Sequence, residues 1–378
     1  MTSLLQMASA GVTEELEIEF PNLFDGLSIN YFRGFEIFGI PIYWYGVIIT
    51  LGAILAYIYA HIRNKQFGVE NERMFDVVFA ALIGGFIGAR AYYCIFATLQ
   101  GRYQYTFITA ITEIRDGGLA IYGGIIGAFI VGFIMCKVRK VHIPAMFDLA
   151  ALGLLIGQGI GRWGNFINQE AFGAVADENY LFGMTGSIIS QYDFVEAGQL
   201  VHPCFLYESL WCLLGFVGLH FYSKKLRSYD GEIFLLYVAW YGLGRTFIEG
   251  MRTDSLMAGE LRISQVIAAV SFIAALVLFI VFKVLTEKKQ KPLFVNSREW
   301  ADAQEQYRLE EEARAAKKAA KKAEKEGVAE SILADDADST DDEKNADTDE
   351  LEGSDESIEE DETAETADDN TENDESEE

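Results

Sequence analysis

Four groups of ionisable and hydrogen-bonding residues interrupt an otherwise apolar sequence, and their types suit an anionic headgroup. The densest closes one apolar stretch: Gly161-Arg162-Trp163-Gly164-Asn165-Phe166-Ile167-Asn168-Gln169-Glu170, with Gly173 shortly after. Arg162 offers a bidentate fork to phosphate, Asn165 and Asn168 can hold glycerol hydroxyls, and Glu170 supplies a counter-charge. The surrounding glycines allow close backbone approach or a broken helix. A helix terminus ending in an Arg–Glu pair is the plainer alternative; the density of polar groups favours a site.

Tyr241, Arg245, Glu249 and Arg252 are spaced i, i+4, i+8, i+11. On a helix they share one face, aligning a phenol, a guanidinium and a carboxylate. An intrahelical Arg–Glu pair snorkelling to an interface would use the same residues. In Asp116-Gly117-Gly118-Leu119-Ala120-Ile121-Tyr122-Gly123-Gly124, glycine pairs flank Tyr122 and leave room for backbone against its hydroxyl. An interfacial aromatic anchor, with helix packing through Gly123 and Gly127, explains that segment equally well. His202-Pro203, followed by Tyr207 and Glu208, opens another apolar stretch, where capping and anchoring is the alternative. Tyr45 with Gly46, and Arg90 with Tyr92 and Tyr93, could line the same cavity. Asp76 and Asp148 sit in first turns and read as helix-dipole partners.

These groups must be positioned by membrane helices. Of the formal charge of −27, about −24 falls between Val328 and Glu378, where Asp and Glu face only Lys344; the body is left near −3. Seven apolar stretches approach the roughly 20 residues needed to cross a hydrocarbon core. They run Tyr43–Ile62, Met74–Phe96, Leu119–Lys137, Met146–Phe166, Cys204–Tyr222, Glu232–Ile248 and Ile263–Phe282. The fourth and sixth carry polar groups and are the weakest by hydropathy. Unpaired ionisable groups inside such spans cost several kcal/mol, which makes them functional candidates.

Basic residues follow the first, third, fifth and seventh stretches: Arg63 and Lys65, Arg139 and Lys140, Lys224 and Lys225, Lys288 and Lys289. Alternation then predicts an all-α polytopic membrane protein of about seven transmembrane helices, N-terminus outside and C-terminus cytoplasmic. Four regions are expected: an extracytoplasmic segment (1–42), a seven-helix domain (43–285), a charged cytoplasmic helix (286–327) and a disordered acidic tail (328–378). The N-terminal MTSLLQMASAGVTEE lacks a positive region and a long apolar core, so no cleaved signal peptide is expected. Cys94, Cys136, Cys204 and Cys212 lack CxxC spacing and read as small buried side chains. The runs Gly84–Gly88 and Gly153–Gly157–Gly161 read as helix-packing faces.

The WYG near the start (44–46), DGGLAIYGG (116–124), GRWGNFINQEAFG (161–173), HPCFLYES (202–209) and YGLGRTFIEGMR (241–252), in that order, resemble the prolipoprotein diacylglyceryl transferase family over residues 40–285. The resemblance implies a bacterial plasma-membrane transferase, of the Gram-positive type. It would move an sn-1,2-diacylglyceryl group from phosphatidylglycerol to the lipobox cysteine of a preprolipoprotein, releasing glycerol phosphate at the extracytoplasmic face. No metal or organic cofactor is implied, and no nucleic-acid partner. By position, the resemblance assigns Arg162, Asn165, Asn168, Glu170, Gly173 and Tyr45 to substrate, and Arg245, Tyr241, Glu249, Tyr122 and His202 to catalysis. Tyr122 stands where many family members have histidine, and a tyrosine of ordinary pKa, near 10, is a poor base at neutral pH. Either Tyr122, His202 or solvent would take the thiol proton. A transporter for an anionic solute is the rival reading; it predicts repeat symmetry, and the 161–173 motif occurs once. A non-catalytic scaffold is the third.

Overall fold

A computed structural model of the chain describes residues 12–101, 103–113, 117–196, 198–253, 257–258, 261–289 and 291–338. Asp116 and the tail beyond Asp338 lie outside these residues. The helices are α1 (Trp44–Arg63), α2 (Asn71–Leu99), the short α3 (Phe107–Thr112), α4 (Ile121–Val138), α5 (Ile143–Asn168), α6 (Cys204–Lys225), α7 (Glu232–Met251), α8 (Ile263–Lys289) and α9 (Arg298–Asp338). Each of the seven expected stretches coincides with one of the long helices between residues 44 and 289. The chain divides into two compact units, Met1–Gln306 and Tyr307–Glu378. The described part of the second, through Asp338, is helical and runs past the helix end expected near residue 327.

The protein is a mostly helical polytopic membrane protein. Six apolar helical runs among the described residues are long enough to cross a membrane: α1, α2, α4, α5, α6 and the run beginning with α8. α7 is a full 20 residues but is not among them. Glu232 at its start lowers its hydropathy, as do Arg245 and Glu249 near its end, the polar groups that made this stretch a candidate site.

Glycines let the helices approach. The backbone of α2 at Gly84 and Gly88 touches α4 at Gly127 and Gly123 so closely that a Cβ at any of these positions would collide with the facing carbonyls. Gly52 of α1 lies against Gly157 and Ile160 of α5, and Gly242 of α7 against Ala268 and Phe272 of α8. Where lipid supplies no hydrophobic drive, such close packing is what holds spans together. Consecutive long helices run antiparallel, so the starts of α1, α4, α6 and α8 share one end of the bundle with the ends of α2, α5 and α7. That is the Arg162 end; the other is the Asp148 end.

The described residues before α1 form two pairs of strands. β1 (Glu15–Phe20) pairs antiparallel with β2 (Leu27–Phe32) and with β5 (Thr185–Gly186) from the long loop before α6, giving the order β2-β1-β5. β3 (Gly34–Ile37) and β4 (Ile40–Tyr43) make a separate hairpin. The alternation of ELEIEF buries Leu16, Ile18 and Phe20. Ile18 and Phe20 pack with Phe166, Phe172, Met184, Ile189, Val201 and Phe205, seating the sheet on the ends of α5 and α6. A short hairpin, β6 (Met257–Ala258) with β7 (Leu261–Arg262), precedes α8. The four cysteines are buried.

Candidate active site

The Arg162 end gathers charges from three helices around one carboxylate. Glu208, one turn into α6 and only 4% exposed, takes Arg162 of α5 at 2.6 Å and Arg245 of α7 at 2.8 Å. Arg252, just past α7, reaches the same carboxylate at 3.3 Å. Arg245 also forks to Glu249 at 2.5 Å, the i, i+4 pair that its spacing predicts. Removing a carboxylate from water costs several kcal/mol, and among the described residues guanidinium groups alone offset that cost here. Each guanidinium has five N–H donors, and the bonds to Glu208 and Asn165 engage only the two terminal nitrogens of Arg162.

The second ring of contacts runs along the loop after α5. Asn165 accepts from Arg162 at 3.3 Å and donates to Glu170 at 2.9 Å; Asn168 donates to the same Glu170 oxygen at 3.4 Å. Gln169 (φ 50°) and Ala171 (φ 57°) take the left-handed conformation on either side of Glu170, unusual for residues with a Cβ. The buried Gln169 side chain fixes that bend with four hydrogen bonds: to Glu17 O, Tyr31 Oη, and the N–H groups of Ile188 and Ile189. The sheet thus holds the carboxylate of Glu170 toward the site. Gly173 is threaded between two segments, donating to His202 O at 2.8 Å and bridging to Arg252; a Cβ there would press on His202 and on Cys204 Sγ. Tyr45 packs on Gly164, where a Cβ would stand 2.7 Å from its ring, and lies within electrostatic reach of Arg162 and Glu170. Tyr241 stacks on Tyr237 at 6.0 Å and lies within the same reach of Arg162, Glu208 and Arg245.

Two aromatic clamps set the register of α6 against α7. Trp211 and Trp240 stack at 4.3 Å, and each indole N–H donates to the other's backbone carbonyl at 2.9 Å. Each ring occupies the space left by a glycine on the facing helix, Gly244 and Gly215. Trp211 is one turn from Glu208, and Gly244 adjoins Arg245, so this pair fixes the bridge between them.

Residues 34–281 match the family described as prolipoprotein diacylglyceryl transferase. This chain belongs to that family. Proteins named phosphatidylglycerol–prolipoprotein diacylglyceryl transferase resemble it in Staphylococcus saprophyticus (41% identical, 66% of this chain and 88% of the relative) and in Clostridium novyi (42%, 65% and 93%). One from Limosilactobacillus reuteri is 44% identical over 64% of this chain and 86% of its own length. Family and relatives mark the chain as a diacylglyceryl transferase, an enzyme of lipoprotein biosynthesis, and give no support to an anion transporter.

Within this transferase the arginine cluster brings together Arg162, Asn165, Asn168, Glu170, Tyr45, Tyr241, Arg245 and Glu249. It does not bring in Tyr122 or His202 by direct contact among the described residues. Tyr122 is 40% exposed, and its hydroxyl meets Ser264 Oγ of α8 at 3.2 Å. His202 Nδ1 meets Tyr207 Oη at 3.1 Å, and Tyr207 meets Tyr180 at 2.8 Å. Arg90 is buried, holding the carbonyls of Ala110, Gly117 and Gly118 while lying over Tyr93 and Tyr105. Glu208 is the residue whose weight the sequence understated, and its signal was a lone carboxylate inside an apolar stretch.

Proposed function

We propose that this chain transfers the sn-1,2-diacylglyceryl group of phosphatidylglycerol to the thiol of a lipobox cysteine in a preprolipoprotein. The observation that carries the reading is the convergence of Arg162, Arg245 and Arg252 on Glu208. In the reaction the acceptor thiol loses its proton, and its sulfur attacks the glycerol carbon that bears the phosphate. The carbon–oxygen bond breaks, a thioether forms, and glycerol phosphate leaves with the electron pair on its phosphate oxygen. Negative charge therefore grows on phosphate as the transition state is reached, and preorganised guanidinium groups lower that barrier.

Arg162 binds the headgroup phosphate, with Asn165 and Asn168 on the glycerol hydroxyls and Glu170 holding both amides. Arg245 is the second phosphate cation, and Tyr241 and Glu249 orient it. Glu208 is a positioning residue that keeps the guanidinium groups together when no phosphate is bound. The thiol proton goes to Tyr122, to His202 or to solvent, three routes that the variants below separate. We place α7 in the bilayer as a seventh span; the basic connections then face the cytoplasm and the Arg162 end faces outward, where a translocated lipobox cysteine arrives. Residues 328–378 are an accessory extension.

The test is to incubate the purified protein with labelled phosphatidylglycerol and a lipobox peptide. A thioether-linked diacylglyceryl peptide is expected. Its absence from a folded preparation would sink the reading.

A further inference from the structure

A cavity of about 310 Å³ opens beside the arginine cluster, walled by Ala174, Phe194, the stretch Gly250–Thr253 and Arg262. That volume is at the lower end of the range for small-ligand pockets, roughly 300–1,000 Å³, and it suits a small anion better than a lipid. Its two cations differ. Arg252 is shared with the active site through its 3.3 Å contact to Glu208. Arg262 donates from Nη1 to the Glu249 carbonyl at 2.5 Å and is paired with no carboxylate among the described residues. The walls are the end of α7 and the loop that carries Ala174 and Phe194, rather than the lipid-facing flanks of helices. Ala174 is pinned there by its N–H to Met251 O, 2.8 Å.

We propose that this cavity is an exit subsite for the leaving group, binding glycerol phosphate through Arg262 and Arg252 after the carbon–oxygen bond has broken. The inference rests on the transfer reading for the identity of its ligand. Arg252 touches both Glu208 and the cavity, so a phosphate leaving Arg162 and Arg245 passes to Arg252 and then to Arg262 without losing a guanidinium partner. A phosphomonoester carries one more negative charge than the diester from which it came, which favours its capture by the second cation pair. A diacylated headgroup would have to bring its acyl chains past the loop walls.

The experiment uses the full-length protein in detergent and needs no turnover. Phenylglyoxal modification of each arginine is followed by mass spectrometry, with glycerol phosphate, glycerol, inorganic phosphate or phosphatidylglycerol vesicles present. Glycerol phosphate is expected to slow modification of Arg262, and glycerol to leave it unchanged. Equal modification with and without glycerol phosphate overturns the proposal. Protection by phosphatidylglycerol but not by glycerol phosphate also overturns it, assigning the cavity to the lipid headgroup; protection by inorganic phosphate equal to that by glycerol phosphate makes it an unselective anion site and removes the exit role. In the transfer assay, Arg262→Gln should weaken product inhibition by glycerol phosphate roughly tenfold or more, the scale of one charge-assisted hydrogen bond, and Arg262→Lys should restore part of it. Inhibition of Arg262→Gln identical to the wild type overturns the proposal. If no thioether forms at all, the transfer reading fails while the protection measurement still reports on the cavity.

Discussion

At the Arg162 end, the buried carboxylate of Glu208 is met by three guanidinium groups and, among the described residues, by no backbone N–H. At the Asp148 end, the buried carboxylates are met mainly by backbone. Asp148 of α5 accepts from the N–H groups of Gly231 and Phe234 at 2.8 and 2.9 Å, so it serves the dipole of α7 rather than that of its own helix. Glu232 accepts from the N–H groups of Ser228 and Tyr229, from the Tyr222 hydroxyl at 2.6 Å and from Lys283 at 2.8 Å. The arginines differ as well: the side chains of Arg162 and Arg245 are 19% and 17% exposed, whereas Arg227 beside Asp148 is 3% exposed and lies over the Phe67 ring at 4.2 Å. Carboxylates fixed by backbone are part of the fold. A carboxylate held only by side chains, which water or an anion can reach, leaves its partners able to turn to an incoming phosphate.

The largest effect expected from breaking this contrast is at Arg162. Arg162→Ala should lower thioether formation by about 10²–10³, the loss that follows removal of one donor to developing negative charge. Its thermal unfolding in detergent should change little, because Arg245 and Arg252 still neutralise Glu208. Wild-type turnover in this variant would refute a headgroup role. Asp148→Ala should do the reverse. Loss of a buried carboxylate that caps α7 and faces Arg227 should cost about 2–5 kcal/mol of stability, with transfer per folded molecule unchanged. A variant that melts like the wild type but has lost activity would move Asp148 from the fold into the mechanism.

Much of this contrast was legible in the sequence, and the rest was not for definable reasons. The helices were legible because a bilayer fixes the length of an apolar run. The Arg162–Glu170 cluster stood out because polar groups there need a reason, and the Arg245–Glu249 pair because i, i+4 spacing is a local property. Glu208 as the hub was hidden: its three partners come from α5, α7 and the residue just past α7, and their register depends on Trp211 and Trp240 lodging over glycines across the helix interface. The role of Gln169 was hidden similarly, since its partners Glu17 and Ile188 are brought together by a sheet whose third strand is only Thr185–Gly186. The strand alternation of ELEIEF is visible in the sequence, but what covers its apolar face is not.

Tyr122→Phe sharpens the comparison within the Arg162 end. The only hydrogen-bond partner of this hydroxyl among the described residues is neutral Ser264, so a loss of tenfold or less is expected, below the roughly 10²–10⁴ of an essential general base. A larger loss, with the protein still folded, would make Tyr122 the proton acceptor and draw α4 and α8 into the site. His202→Gln, measured alongside, tests the other candidate.

The smallest effect belongs to the Asp148 end and appears as a pH slope. His142, the residue before α5, stacks on Phe294 at 4.2 Å, and its Nδ1 is buried without a hydrogen-bond partner among the described residues. Burial holds its pKa below the ordinary 6.5, against the opposing pull of Asp230 and Glu299. The folded protein therefore keeps the ring neutral at a pH where the unfolded chain has taken up a proton. Its contribution to stability is complete above pH 6.5 and is lost as pH falls below that value toward the folded pKa. Melting temperature should accordingly fall between pH 7 and pH 5.5, and His142→Phe, which keeps the stack and cannot titrate, should flatten that slope. Identical slopes would show that the carboxylates around it, and not the imidazole, set the acid limit. Activity per folded molecule should be the same in the variant and the wild type at each pH, because His142 touches nothing at the Arg162 end.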